Sequence, residues 1–117
     1  MNLHVDRVDG LAIIECQGRI VRSDSAFELR DAVLSQADAR IILLDLSAVS
    51  ALEGGGLGMV MFLQRWAYDH GIRLKLFNPI KSVSERLELA NSIPALEVIS
   101  PAELEAMIAG ARLRMAA

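Results

Sequence analysis

The feature that most constrains the fold is an apolar run at residues 41–46, broken only by Asp45 and followed by a polar turn. A short run rich in Ile and Leu that is closed by turn residues is typical of a β-strand buried on both faces. A glycine-rich segment then opens a stretch of helical length and apolar spacing that reaches Gly71. We therefore predict a central strand over this run, a loop over 47–56 and a helix over 55–70. Functional residues of open α/β sheets lie beyond the carboxyl ends of the strands, so this loop is the first place to search.

The other apolar patterns predict an α/β domain around this unit. Asp9 and Gly10 lie between two apolar stretches and predict a hairpin of strands 3–8 and 11–17, because both turn positions favour positive φ. Capping signals and apolar spacing predict further helices and strands. The helices are expected at 26–37, at 80–91 with Asn91 at its end, and at 101–111, and the strands at 73–77 and 95–99. Three strand–helix–strand crossovers predict a mixed, mostly parallel sheet, in a single domain over 1–117.

Composition excludes several classes of function. The chain has 117 residues, of which 53% are apolar and 23% charged, as in folded proteins and not in disordered ones. The net charge of −3 gives no electrostatic footprint for nucleic acid. The single cysteine, Cys16, excludes an internal disulfide and a multi-cysteine metal site. No apolar run reaches the roughly 20 residues of a membrane span. The N-terminus lacks signal-peptide features, so we expect a cytoplasmic protein without direct membrane insertion.

The glycine-rich segment does not complete a phosphate-binding motif. A P-loop needs a lysine and then Ser or Thr after its last glycine, but Met59 and Val60 follow Gly58. A dinucleotide fingerprint would need Gly or Ala where Met59 stands. We therefore predict no nucleotide cofactor at this loop.

Residues with nucleophilic or acid–base chemistry are also scattered. His4 and His70 have no serine, cysteine or carboxylate at a spacing typical of a catalytic site. Cys16 lies in an apolar strand, where an inert buried thiol is expected. Asp45 ends a parallel strand, where it is either a catalytic carboxylate or, as we favour, a cap for the turn through Ser47. We predict no catalytic residues, no metal site and no cofactor.

Residues 45–58 resemble the signature of the STAS domain, the sulfate transporter and anti-sigma factor antagonist family. The family pattern is Asp-Leu-Ser-x-Val, two apolar positions and Asp-Ser-Ser-Gly-Leu-Gly, and this chain has Asp-Leu-Ser-Ala-Val-Ser-Ala-Leu-Glu-Gly-Gly-Gly-Leu-Gly. The hairpin, Gly18, Gly71 and the Asn-Pro pair at 78–79 extend the resemblance over nearly the whole chain. It implies a small sheet with helices packed mainly on one face and no catalytic site. In anti-sigma factor antagonists, a partner kinase phosphorylates a serine at the start of this helix, and the complex is then released.

The chain departs from the family pattern at the phosphorylated position. Asp-Ser-Ser is replaced by Glu53, Gly54 and Gly55, so Gly54 at the phosphoacceptor position has no hydroxyl. Ser47 and Ser50 match other family positions and do not inherit the role. The resemblance therefore implies a protein that is not switched by phosphorylation there. Glu53 either only favours the positive end of the helix dipole or partly imitates the phosphorylated state, and we prefer the first alternative.

Two functions remain as hypotheses. The first is a regulatory interaction module that binds an anti-sigma factor or a related histidine-kinase-like protein. The second is a non-switching STAS scaffold or accessory subunit of a stress-signalling or lipid-transport complex. A neighbouring gene for such a kinase would support the first, and one for a transporter ATPase would support the second.

The predicted binding surface combines the loop with the start of the helix over 55–70. Its residues are Ser50, Glu53, Gly54, Gly55, Gly56, Met59, Phe62 and Trp66. One helix face, with Leu57, Val60, Met61 and Ala67, is expected to pack on the sheet. The other, with Met59, Phe62, Leu63 and Trp66, is expected to meet a partner or a second copy, unless the helix over 80–91 covers it. The glycines allow a close backbone approach by a partner or only ease a tight turn.

Overall fold

The computed structural model describes residues 1–90 and 92–116, which form a five-stranded sheet and four helices. The strands are β1 (Asn2–Val8), β2 (Leu11–Ile20), β3 (Ile41–Leu52), β4 (Arg73–Phe77) and β5 (Val98–Ile99). The helices are α1 (Ser23–Leu34), α2 (Gly55–Asp69), α3 (Lys81–Leu89) and α4 (Pro101–Ala116). The strand order is β1-β2-β3-β4-β5, with β1 antiparallel to β2 and the other pairs parallel. The prediction of a mixed, mostly parallel sheet with an N-terminal hairpin is confirmed.

The middle strand of the sheet is β3, as its apolar sequence predicts, but it has 12 residues and is longer than predicted. Residues 47–52, predicted as a loop, continue the strand to its end. Two β-bulges each add one residue to β3 relative to β2, just past Asp45 and just past Val49. Each extra residue changes which face the next side chain meets, so the buried positions are Leu46, Val49 and Leu52. The prediction of a loop was wrong because this spacing of three lacks the alternation typical of strands.

Helices α1, α2 and α3 cover one face of the sheet, and α4 packs on the other. The main core lies under the first three helices. Its largest fully buried side chains are Ile14, Ile20, Leu29, Ile42, Leu44, Leu46, Leu52, Leu63 and Leu76. On the opposite face, a smaller cluster joins Leu11, Leu43 and Ile99 to Ala111 of α4. Burial of a side chain of this size contributes about 1.5–3 kcal/mol, so the main core supplies most of the hydrophobic stabilisation. Helices packed mainly on one face are thus confirmed.

Several predicted element ends differ from the structure. Helix α1 ends at Leu34 because residues 35–38 form a turn, and Ala37 is therefore exposed and not part of the helix face. Strand β5 has two residues, not the five predicted over 95–99. Gly71 has φ +69° just past the end of α2, as its predicted role requires. Asn91, expected to end α3, lies outside the described residues.

Candidate functional site

The candidate site lies where β3 ends and α2 begins. Ser50 is exposed on the last part of β3. Asp45, earlier on the strand, accepts hydrogen bonds at Oδ1 from the backbone N–H of Ser47, at 3.0 Å, and from Ser47 Oγ, at 2.6 Å. Asp45 therefore has the local capping role that the sequence favoured, although it stabilises a β-bulge and not a turn.

Three consecutive glycines lie at the start of α2, and the structure constrains the three positions differently. Gly54 is the N-cap of α2, with φ +55° and ψ −125°, a conformation that L residues rarely adopt. Gly56 is buried, and a Cβ there would lie 1.7 Å from the carbonyl oxygen of Ile20. Gly55 is exposed, and its Cβ would make an ordinary contact, at 3.7 Å, with the carbonyl oxygen of Val21. The fold itself thus requires glycine at positions 54 and 56, whereas position 55 can accommodate a side chain.

Glu53 is turned toward α3. Its Oε2 lies 3.2 Å from Nη2 of Arg86, and both side chains are about half exposed. An ion pair with this exposure contributes about 0–1 kcal/mol to stability. Arg86 is a site residue that the sequence analysis missed, since nothing in the spacing of Glu53 and Arg86 indicates that α3 packs beside the end of β3.

The buried face of α2 differs from the predicted one. Val60, Leu63 and Ala67 are fully buried against the core. Leu63 had been assigned to the partner-facing side, and that assignment was wrong. Met61, expected to pack on the sheet, is only half-buried. The buried stripe is therefore rotated toward Leu63, which leaves the opposite side of the helix to solvent.

The outward face of α2 runs through Gly55, Met59, Phe62 and Trp66, which share one side at helical spacing. Phe62 is 53% exposed. Met59 and Trp66 are half-buried at the edge of the main core, and the Trp66 ring stacks on His70 with the ring centroids 4.8 Å apart. The helix packed beside α2 is α1, and Phe62 stays exposed, so α3 does not cover this side chain as the alternative interpretation required. Phe62 is thus the most accessible apolar side chain of the predicted surface.

Within the part of the chain that the structure describes, the other reactive side chains offer a buried thiol and no metal-binding cluster. Burial raises the pKa of the Cys16 thiol to about 12, with a further contribution from the Asp45 carboxylate. Among residues 1–90 and 92–116, no three His, Cys, Asp or Glu side chains gather where they could hold a metal ion. None of the helices in these two ranges has the length and apolar character needed to cross a membrane.

This architecture is the fold of solved anti-sigma factor antagonists. The unphosphorylated anti-sigma factor antagonist SpoIIAA matches with a TM-score of 0.74 over 93% of this chain and 97% of its own, at 16% sequence identity. The phosphorylated form, a Bacillus cell fate determinant, matches with a TM-score of 0.69 over 92% and 99% of the two chains, at 15% identity. An anti-sigma factor antagonist from Mycobacterium paratuberculosis gives 0.73 over 92% and 93%, at 15% identity. The resemblance to the STAS family is thereby confirmed at the level of the fold.

A curated plant protein shares sequence with this chain. The probable sulfate transporter 3.4 of Arabidopsis thaliana is 30% identical over 103 residues, which cover 77% of this chain. The chain spans 16% of the length of that transporter, so the similarity concerns one segment of a larger protein. No protein-family model matches the chain.

Proposed function

We propose that this chain is a non-enzymatic regulatory module, one STAS-like domain over 1–117, that binds a partner protein through the start of α2. The proposed partner is an anti-sigma factor or a related histidine-kinase-like protein, and the proposed location is the cytoplasm. The observation that carries the proposal is the surface where Gly54 and Gly55 expose bare backbone and Phe62 follows on the same side of α2. Aromatic side chains, including phenylalanine, are enriched at protein–protein interfaces relative to the rest of the surface.

Binding through this surface would not be switched by phosphorylation at the family position. Gly54 has no hydroxyl, and Gly55 beside it has none either. The nearest carboxylate in the sequence, on Glu53, is paired with Arg86 and carries less charge than a phosphate, which has about −1.5 to −2 at neutral pH. We therefore propose a protein that is always competent to bind.

A second candidate is a non-switching scaffold or accessory subunit of a stress-signalling or lipid-transport complex. The absent phosphoacceptor hydroxyl favours it, because a scaffold needs no release step. The similarity to a segment of a much longer transporter also favours it. In this alternative, the same α2 surface binds a structural subunit, or a second copy of the chain, in place of a kinase.

The test uses two aromatic residues of one helix. Phe62→Ser removes the exposed ring from the proposed surface, and Tyr68→Ser removes a ring that is 65% exposed on another side of α2. We expect Phe62→Ser to weaken binding of the host's anti-sigma factor or histidine-kinase-like protein at least about tenfold, near 1.4 kcal/mol, and Tyr68→Ser to leave it within about twofold.

Calorimetry with the purified kinase-like protein gives the affinities, and sedimentation velocity shows whether Phe62→Ser dissolves a self-associated form. Equal effects of the two variants would contradict the proposed surface. Wild-type protein that binds a transporter subunit but not the kinase-like protein would favour the scaffold. Unfolding of Phe62→Ser would place this ring in the core.

A further inference from the structure

Three arginines line one cavity at the end of the sheet opposite to the start of α2. The cavity has a volume of about 310 Å³, and its lining residues are Arg40, Ile41, Gly71, Arg73 and Arg114. Arg40 precedes β3, Arg73 begins β4 and Arg114 lies in the last turn of α4. The amino ends of parallel strands meet at one edge of a sheet, so the fold gathers guanidinium groups that are distant in sequence.

One carboxylate joins this cluster. Asp9, in the hairpin turn, accepts hydrogen bonds at Oδ2 from Arg40 Nη2, at 2.7 Å, and from Arg114 Nε, at 2.9 Å. The hydrogen bond from Arg114 in particular holds the pKa of Asp9 below its ordinary value, so the carboxylate is ionised at neutral pH. Asp9 therefore positions two of the arginines and neutralises one of their charges.

Glu97, which lines a neighbouring cavity together with Arg73, is paired with Lys75, and two further acidic side chains at this end of the molecule also have cations of their own. Asp38 lies 2.9 Å from Nη1 of Arg7, and Asp69 lies 3.1 Å from Nε of Arg65. Arg73 has no ion-pair partner within the part of the chain that the structure describes. Three guanidinium groups and one carboxylate leave an excess of two positive charges around the cavity.

Most of the hydrogen-bond donors of these groups remain available. A guanidinium has five N–H donors, and the bonds to Asp9 use one from Arg40 and one from Arg114. The planar fork of arginine fits the paired oxygens of phosphate and carboxylate groups better than a lysine ammonium does. Several such forks around one cavity suit a small anion with several oxygens.

Gly10 helps to hold Arg40 in place. The sequence predicted positive φ at both hairpin turn positions, but only Asp9 has it, at 53°. A Cβ on Gly10 would lie 2.6 Å from Nε of Arg40, so the Arg40 side chain would have to shift if another residue stood here. The backbone N–H groups of Arg40 and Ile41 both donate to the Gly10 carbonyl, at 2.8 and 3.1 Å. These bonds hold the Arg40 backbone, and the hydrogen bond to Asp9 orients its guanidinium, which lowers the entropic cost of binding.

The end of α2 is the group that opposes an anion here, since the last carbonyl groups of a helix carry partial negative charge. Gly71 brings this end to the cavity. The N–H groups of Gly71 and Ile72 donate to the carbonyl groups of Tyr68 and Ala67, at 3.2 and 2.8 Å. These hydrogen bonds reduce the exposed negative charge, so the arginines dominate the local field.

We propose that this arginine cavity binds a phosphate dianion, either inorganic phosphate or the phosphate group of a small phosphorylated molecule. A phosphate group carries about −1.5 to −2 charges at neutral pH, which matches the excess of two positive charges. The cavity lies at the far end of β3 from the proposed partner surface, so phosphate binding is independent of the proposed function. Its test accordingly needs no partner protein.

The primary test is a calorimetric titration of the full chain with inorganic phosphate. Wild-type protein should bind one phosphate in a saturable manner, and Arg73→Gln should weaken binding at least about tenfold, because a hydrogen-bonding charge is lost. Arg73 makes no ion pair among the described residues, so this variant should fold normally. The matched control is Arg19→Gln, because Arg19 pairs with Ala51 at the opposite end of β3 and makes no ion pair among the described residues. This variant should bind phosphate within about twofold of wild type.

The phosphate affinity of Asp9→Asn shows whether the arginines bind an anion or only hold Asp9 in the fold. If the cavity binds phosphate, loss of the competing carboxylate should tighten binding, by about threefold or more. The same titration with glycerol 3-phosphate distinguishes a free-phosphate site from one for a phosphorylated molecule, and chloride at matched ionic strength controls for screening. No saturable binding up to about 10 mM phosphate, or equal losses in Arg73→Gln and Arg19→Gln, would overturn the proposal.

Discussion

The guanidinium of Arg86 lies 3.2 Å from the carboxylate of Glu53 and ties the end of β3 to α3. Glu53 is the acidic residue that precedes Gly54. An unpaired carboxylate there could imitate part of the negative charge of a phosphorylated family member. Because the pair partly compensates this charge, we expect Arg86 to influence the proposed partner surface although it lies on α3.

The first prediction concerns Arg86→Gln. Loss of this half-exposed pair should change the free energy of unfolding by less than about 1 kcal/mol in a urea melt. If the partner carries an acidic surface, the uncompensated Glu53 should slow its association and weaken binding several-fold at low salt, with a smaller effect at high salt. The double variant Glu53→Gln, Arg86→Gln should recover wild-type affinity in calorimetry.

Glu53→Gln alone separates the two alternatives for this residue. We expect its affinity for the partner, measured at high salt so that the unpaired Arg86 is screened, to stay within about twofold of wild type. Clearly tighter binding of Glu53→Gln would show that Glu53 imitates a phosphorylated state in the wild-type protein, contrary to our expectation.

The second prediction compares serine at two adjacent positions. Gly54→Ser should destabilise the protein by about 1–3 kcal/mol, because φ +55° with ψ −125° is strained for any L residue. Gly55→Ser should change stability by less than about 1 kcal/mol, since its side chain meets only ordinary contacts. Thermal melts of the two variants check this difference.

The same variants test the absence of a phosphorylation switch. Wild-type protein incubated with ATP and its cognate kinase should show no added phosphate by intact mass. If the kinase recognises the family position, Gly54→Ser should gain a phosphate and lose the partner, whereas Gly55→Ser should not. A stoichiometric phosphate on Ser47 or Ser50 of the wild type, with release of the partner, would contradict the proposal that the protein is always competent to bind its partner.

The third prediction concerns Gly56, with Gly58 on the same helix as its control. Gly56→Ala places a Cβ 1.7 Å from the carbonyl oxygen of Ile20, so backbone must move, at a cost of about 3 kcal/mol or more. A Cβ on Gly58 meets nothing within 4 Å, so Gly58→Ala should stabilise the helix by about 0.5–1 kcal/mol. Urea melts that give similar values for both variants would contradict this close contact between α2 and β2.

The sequence predicted the elements whose signals are local. The apolar run at 41–46, the turn at Asp9 and the helix end at Gly71 each lie where neighbouring residues indicate them. The extension of β3 over 47–52 could not be predicted, because the bulges depend on the register with β2. Likewise, only the packed fold brings the carbonyl oxygen of Ile20 against Gly56.

For the candidate site, the sequence predicted the side chains that follow from helical spacing but not the contacts between different elements. The pattern of apolar residues placed Phe62 on the surface of α2, and the structure leaves it 53% exposed. The same pattern placed Leu63 beside it and was wrong, because α2 is rotated by its packing against α1 and the sheet. The contact between Glu53 and Arg86 and the arginine cavity join residues from different elements, so no spacing in the sequence could reveal them.

The last prediction concerns the thiol of Cys16, which is 2% exposed. Burial, with the Asp45 carboxylate as a second cause, raises its pKa from 9.0 to about 12. At pH 8, four units below that pKa, about one native molecule in 10,000 carries the reactive thiolate, against about a tenth of unfolded chains. A thiol reagent should therefore label the native protein at least about a hundredfold more slowly than the protein in concentrated urea. Because the folded pKa is the higher one, the thiol's contribution to stability is complete below about pH 9 and is lost as the pH rises toward about 12. Urea melts between pH 8 and pH 11 should show this loss in the wild type and a smaller one in Cys16→Ala. Rapid stoichiometric labelling of folded protein at pH 8 would show that Cys16 is accessible and would refute its place in the core.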